Sequence, residues 1–286
     1  MRASRGYWEE SWRRLLRNRA GVASGALVLL LGAAALAAPV IAGLVLRQDP
    51  LSQDLHATFQ GPGPSHLLGT DNLGRDVLAR LLYGGRVSLG VGFLSVALAT
   101  TVGGVVGVAA GYYGGTADDV LMRLVDVLLA IPGLYLLILV GAVVTVNAVT
   151  LSCLIAFIGW GALARLARAE VLSVRHRDFV LAARSIGASD LRVMLRHIVP
   201  NVLHVAIVAA SLGVGAVILL EAALDFIGLG VAAPTPTWGN MLSGAQSFFT
   251  HSVWLVVLPG SMIFLSVLAT NLFGNAVRDA FDPRLR

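Results

Sequence analysis

The chain has 286 residues, 57% of them hydrophobic and only 13% charged, with a formal net charge of +5 and a mean hydropathy of +0.80. A soluble chain is near a quarter charged, so about half the expected charge is missing and an ordinary soluble domain is excluded. All 21 basic residues are arginine. Without lysine there is no Walker A loop, no Schiff-base lysine and no serine–lysine dyad. The single Cys153 excludes an internal disulfide and a cysteine metal cluster.

The charges bracket five uncharged runs: 27 residues after Arg19, 31 after Arg86, 38 after Asp126, 24 after Arg196 and 52 after Asp225. About 20 apolar residues cross a bilayer core about 30 Å thick, so each run holds at least one membrane span. Ahead of them, Trp8, Trp12, Leu15 and Leu16 share a helical face opposite Arg13, Arg14 and Arg17. Residues 1–19 therefore read as an interfacial helix lying on anionic lipid. Residues 20–46 form the first span; they are long for a signal-peptide core, with cleavage near Leu36-Ala37-Ala38 a minor alternative. Residues 47–86 form a loop in which Asp71, Arg75 and Asp76 cluster, either holding turns at Gly69 and Gly74 or touching a partner.

The second span runs from about Val87 to Gly111, and residues 87–286 make up the core domain. Gly103, Gly107, Gly111 and Gly115 recur every fourth residue. That spacing of small residues lets helices pack closely in lipid, with a gate or a seam between subunits as the alternative. The 38-residue run would make one helix of about 57 Å, nearly twice the hydrocarbon thickness. It is split into two spans turning at Thr145, Asn147 and Thr150. The fifth span is Asn201–Leu220, near whose ends lie His204 and the pair Glu221 and Asp225. An ionisable group at membrane depth is a candidate functional group, although facing water or capping backbone is the simpler reading for this pair. The six histidines show no metal-ligand spacing, so no metal site is expected. Pro234, Pro236, Trp238, Asn240, Gln246 and His251 mark a surface loop. Within it Trp238, Met241, Leu242 and Ala245 have helical spacing. Val253–Val277 is the sixth span. With six spans, 17 of the 21 arginines fall on the side of both termini, which places that side in the cytoplasm.

The longest cytoplasmic connection, residues 165–200, is patterned. Phe179, Ala182, Ala183 and Ile186 form one apolar helical face, and Leu191, Met194, Leu195 and Ile198 form another before Pro200. Gly187-Ala188-Ser189-Asp190 is the corner between them, with Ser189 a good N-cap. Such an elbow either rests on lipid headgroups or docks a soluble partner. Ala182, Ala183, Gly187 and Pro200 in this register resemble the cytoplasmic coupling loop of ATP-binding-cassette importer permeases. That signature begins Glu-Ala-Ala and ends Ile-x-Leu-Pro; here Leu181, His197 and Val199 replace the Glu, Ile and Leu. Leu68-Gly69-Thr70-Asp71-Asn72-Leu73-Gly74-Arg75-Asp76-Val77 is similar to an element of the dipeptide/oligopeptide/nickel permease family. Phe226–Val231, Pro234-Thr235-Pro236, Trp238–Leu242 and the ending Val277–Arg284 resemble its C-type subunit.

The resemblance implies an all-α membrane protein with six transmembrane helices, the type I ABC importer permease fold, in a bacterial or archaeal cytoplasmic (inner) membrane. Its expected partners are a second, homologous permease in a heterodimer, two cytoplasmic ATPases, an external solute-binding protein and membrane lipids, with no nucleic acid. ATP and Mg would be bound by the ATPases, leaving this chain without a cofactor and without enzymatic activity. Ala182, Ala183, Gly187, Ala188, Ser189, Asp190 and Pro200 would couple to an ATPase. Trp238, Met241 and Leu242 would line the outer gate or touch the binding protein. The expected cargo is a di- or oligopeptide, with glutathione or nickel as alternatives. Two other classes, an intramembrane enzyme and a non-catalytic scaffold, are disfavoured by the scattered polar groups and the patterned elbow respectively.

Overall fold

The protein is described by a computed structural model covering residues 7–281, with side chains described from Glu9 onward. The side chain of Trp8 of the expected interfacial face and the end of the tail motif from Asp282 lie outside what is described. Helix α1 (Tyr7–Arg17) carries Arg13–Glu9 and Arg14–Glu10 pairs. Its Leu15 is buried against Ala276, Val277, Ala280 and Phe281, whereas Trp12 and Leu16 are exposed. One edge of the helix is thus pinned to the bundle, leaving Trp12 and Leu16 available to lipid. Asn18 then caps α2 (Arg19–Leu36) by accepting the Gly21 N–H at 3.0 Å. The first crossing continues through α3 (Ala38–Val40) and a π-helical turn at Ile41–Leu46.

Asp76 starts α4 (Val77–Tyr113) by accepting the Ala79 N–H at 2.7 Å. This helix begins ten residues before the apolar stretch expected from Val87. At 37 residues it is about 55 Å long, so it projects beyond the hydrocarbon core. A single long helix was not the only departure. The third crossing is bent by 72° between α5 (Gly115–Ala130) and α6 (Gly133–Val143). Pro132 lies in the break: it offers no N–H to α5 and disfavours the α conformation at Ile131. The turn into α7 (Ala148–Val174) falls where expected, with Asn147 capping the Thr150 N–H at 2.9 Å.

Helix α7 runs ten residues past Ala164, so the elbow is shorter than residues 165–200. It consists of α8 (Asp178–Ser185), a corner and α9 (Asp190–Val193). The second elbow helix does not stop before Pro200. It passes through a π-helical turn, Met194–Ile198, into α10 (Val199–Phe226), and the Val199 N–H reaches back to the Met194 carbonyl. The wide turn admits a proline that would otherwise collide with a carbonyl one turn earlier. A capped surface helix, α11 (Trp238–Gln246), and α12 (Trp254–Phe281) complete the chain. Among the described residues five helices are long and apolar enough to cross a membrane, and the bent α5–α6 pair, taken as one span, makes the sixth crossing. Among the described residues the only β-type pairing is an isolated Thr70–Asp76 bridge.

Candidate functional site

The elbow sits beside the C-terminal end of α4. Val180, Ala183, Val193 and Ile198 pack with Tyr112 of α4 and with Ala167, Val171 and Val174 of α7. Only Ala183 and Ile198 of the expected apolar faces are fully buried. Phe179, Leu181, Ile186, Leu191 and Leu195 face outward, with Ile186 86% exposed. The elbow therefore has two apolar faces, one spent on its own bundle and one left over.

The corner is fixed by backbone geometry. Gly187 adopts φ +82°, a left-handed conformation that costs a residue with a Cβ more than it costs glycine. Its N–H bonds the Arg184 carbonyl at 2.9 Å, and the Ala188 N–H bonds the Ala183 carbonyl at 3.1 Å. These two bonds close α8 in a Schellman arrangement, with Ala188 packed beneath it. Ser189 occupies the N-cap position of α9, although its side chain makes no capping bond. Asp190 instead ties the corner to the spans: it accepts from Tyr112 Oη at 2.6 Å, while the Arg184 guanidinium lies 4.7 Å from the centroid of the same ring. A shallow groove lined by Ser189, Leu191, Arg192, Leu195 and Pro200 opens beside it.

Tyr112→Phe keeps the ring beneath Arg184 and deletes only the bond to Asp190. The expected loss is about 1–2 kcal/mol of local stability. Amide exchange in α8 and α9 should accelerate about tenfold while the α4–α7 amides stay unchanged. Equal exchange in both proteins would mean that the tether carries no load.

Helices α4 and α7, against which the elbow packs, meet along a close seam. A Cβ added to Gly103 would stand 2.8 Å from Leu163 Cβ, one on Gly107 2.7 Å from Ala167 Cβ, and one on Gly111 2.7 Å from Val171 Cβ. Gly115 lies outside this seam, with nothing near its absent side chain. Two ion pairs tie α7 to α5 beside this seam, Arg168–Asp118 and Arg165–Asp126, each at 2.5 Å. Arg175 donates to the Gly111 carbonyl at 2.8 Å.

At the other end of the bundle, Glu221 and Asp225 are buried rather than turned to water. Ser88 Oγ of α4 donates to Glu221 Oε1 at 3.0 Å and accepts the Trp238 N–H at 3.2 Å. Asp225 accepts the Val231 N–H at 2.6 Å and the Thr237 hydroxyl. Thr237 and Asn240 complete a capping box at the start of α11. The Trp238 indole fits over Gly84 and Gly85 and donates to the Leu81 carbonyl at 3.0 Å. Two buried acids thus lock α11 onto α4 and α10. Trp238, 2% exposed, is an anchor of that lock, whereas Met241 and Leu242 are only half buried. Spacing identified α11; the partnership of Ser88 with Glu221, 133 residues apart, left no mark in the sequence pattern.

The fold is a polytopic helical bundle with a patterned elbow at one end and a latched surface helix at the other, the architecture of a transport permease subunit. Residues 103–286 match the family described as binding-protein-dependent transport system inner membrane component, and the chain belongs to it. Residues 6–62 match the N-terminal transmembrane domain of oligopeptide transport permease C. The chain is 39% identical over 280 residues to the glutathione transport system permease protein GsiD of Pectobacterium atrosepticum, covering 98% of this chain and 92% of that protein. It is 38% identical over 284 residues to the dipeptide transport system permease protein DppC of Haemophilus influenzae, covering 97% and 95%. It is 39% identical over 284 residues to the di/tripeptide transport system permease protein DppC of Pseudomonas aeruginosa, covering 97% and 92%. Membership makes the chain a multi-pass membrane permease of an ABC importer, and implies a partner ATPase and a binding protein.

Proposed function

We propose that this chain is one half of a heterodimeric permease that imports di- or oligopeptides, driven by two cytoplasmic ATPases docked at its elbow and its partner's. The observation that carries the reading is the outward apolar face of the elbow, Leu181, Ile186, Leu191 and Leu195, on an element whose other face is already packed. A soluble partner with a cleft accounts for that face. The elbow end also collects the described arginines of α1, α8 and α9, in keeping with a cytoplasmic position for it and for both termini. Peptide as cargo rests on the names of the relatives, of which two transport di- or tripeptides and one glutathione.

In mechanism, ATP-driven closure of the ATPases moves the elbow, and the Tyr112–Asp190 tether and the glycine seam carry that movement into α4 and α7. For this to be coupling, the ATPase must bind the two permease states with different affinities. Nucleotide and Mg belong to the ATPases, and this chain contributes no hydrolytic group. In proteoliposomes, the complete complex with its binding protein should accumulate a labelled dipeptide only when ATP is present, and the isolated chain should hydrolyse none. Hydrolysis by the isolated chain, or accumulation without ATP, would overturn the reading. Preferential uptake of glutathione or nickel would retain the importer and replace the cargo.

A further inference from the structure

At the loop end lies a small cavity of about 40 Å³, lined by Asp71, Asn72, Arg75, Arg80 and Asn240 over an apolar floor of Val77, Met241, Ala245 and Leu255. Its electrostatics do not balance. Asp71 is the one carboxylate serving two guanidinium groups, and its lone pairs are largely committed elsewhere. Its Oδ1 accepts the Leu73 and Arg75 N–H groups at 2.9 and 3.0 Å, and its Oδ2 accepts Arg75 Nε at 2.7 Å. Arg80 is left with a 3.5 Å approach to Asp71 and a 3.4 Å bond from Nη1 to the Pro50 carbonyl. Yet Arg80 is only 6% exposed. A guanidinium has five donors, and with so little compensation from the protein Arg80 is left to take further partners from the cavity, an anion being the strongest of them. The half-buried Asn72 amide adds further donors on the cavity wall.

We propose that this cavity is a socket for a single carboxylate side chain, Asp or Glu, presented by the external binding protein when it docks. Arg75 and Arg80 both line the cavity, a guanidinium offers the paired donors that carboxylates accept, and Asn72 supplies a neutral donor. The volume admits about three water-sized centres, which suits a carboxylate head and excludes a peptide. The floor belongs to the same packed cluster as Trp238, so the socket ends blind instead of leading between the spans. A blind pocket suits a docked side chain and not a passing substrate. Met241 and Gly244 of α11 form one wall, so an occupied socket bears on the helix that Glu221 and Asp225 lock in place.

The inference rests on the importer reading, and its test separates the two. In nanodiscs holding the complete transporter, ATPase rate is titrated with the purified binding protein of the same transport system. Arg80→Gln should raise the half-saturating concentration by at least about tenfold, with Arg80→Lys recovering part of it. Asn72→Asp, at a half-exposed position, should act in the same direction by filling the socket from within, and it decides the matter if Arg80→Gln fails to assemble. Acetate should raise the wild-type half-saturating concentration more than chloride at equal ionic strength, and this difference should vanish in Asn72→Asp. An unchanged half-saturating concentration in Asn72→Asp, with a responsive wild type, overturns the socket alone. So does an altered dependence on peptide with an unaltered dependence on binding protein, since that assigns the carboxylate to the cargo. A wild-type complex indifferent to its binding protein overturns the importer reading itself.

Discussion

Gly107→Val is expected to abolish the folded subunit. A methyl at this position already falls within van der Waals distance of the Ala164 carbonyl oxygen, 2.7 Å from Ala167 Cβ and 3.0 Å from the Arg168 nitrogen. Two of these obstacles are backbone, which no rotamer change can move aside. The helices would have to separate, and separation also opens the contacts at Gly103 and Gly111 and stretches the Arg175 bond to the Gly111 carbonyl. Overpacking ordinarily costs about 1–3 kcal/mol, and backbone on both sides puts this case at or above the top of that range. Gly104→Ala is the matched control. It sits three residues away on the same helix with nothing within 4 Å of its absent Cβ. It should be neutral, or more stable by up to about 1 kcal/mol through helix propensity. Thermal unfolding and gel filtration in detergent distinguish the pair; a Gly107→Val protein that melts with wild type would show that the seam is slack.

What the sequence disclosed, and what it withheld, follows from the range of each interaction. Uncharged runs report the cost of charge in hydrocarbon, a local property, so every crossing was visible. Caps are local too, and Asn147 marked its turn. Pro132 was equally visible but lay inside a uniformly apolar stretch, where hydropathy gives no reason to place a 72° bend. At the elbow, helical periodicity found the helices and misassigned their faces. Val180 and Leu181 are adjacent and similarly apolar, and only the position of α7 decides that Val180 is buried and Leu181 exposed. The acids at the end of α10 were read as facing water or capping backbone; Asp225 does accept the Val231 N–H, but their burial left no trace because their partners, Ser88 and Thr237, come from distant parts of the chain. The charge imbalance around Arg80 was hidden for the same reason. Asp71, Arg75, Asp76 and Arg80 look internally balanced along the chain until Asp76 is found paired with His66 and capping α4.

The double variant Ile186→Asp, Leu191→Asp should leave a well-folded permease that no longer couples to ATP. Both side chains point away from the bundle, 86% and 62% exposed, so their loss removes no internal packing. In a docked complex they would fill the apolar cleft of the ATPase, and each new carboxylate would have to be stripped of water there without a partner. Anchoring residues at the centre of an interface typically cost about 2 kcal/mol or more when truncated, so the pair should lower ATPase affinity by at least about a hundredfold. The expected result is an unchanged melting temperature, loss of co-purifying ATPase and no ATP-driven uptake. Gly187 provides a contrast that acts through shape. Gly187→Val must adopt the left-handed corner at φ +82° with a β-branched side chain, although space around it is open. It should distort the corner and weaken coupling, whereas Gly187→Asn, which tolerates that conformation, should couple nearly as wild type. Normal ATPase binding and uptake in the double variant would show that the outward face meets lipid headgroups, and the elbow's remaining apolar surface would then be explained by the membrane alone.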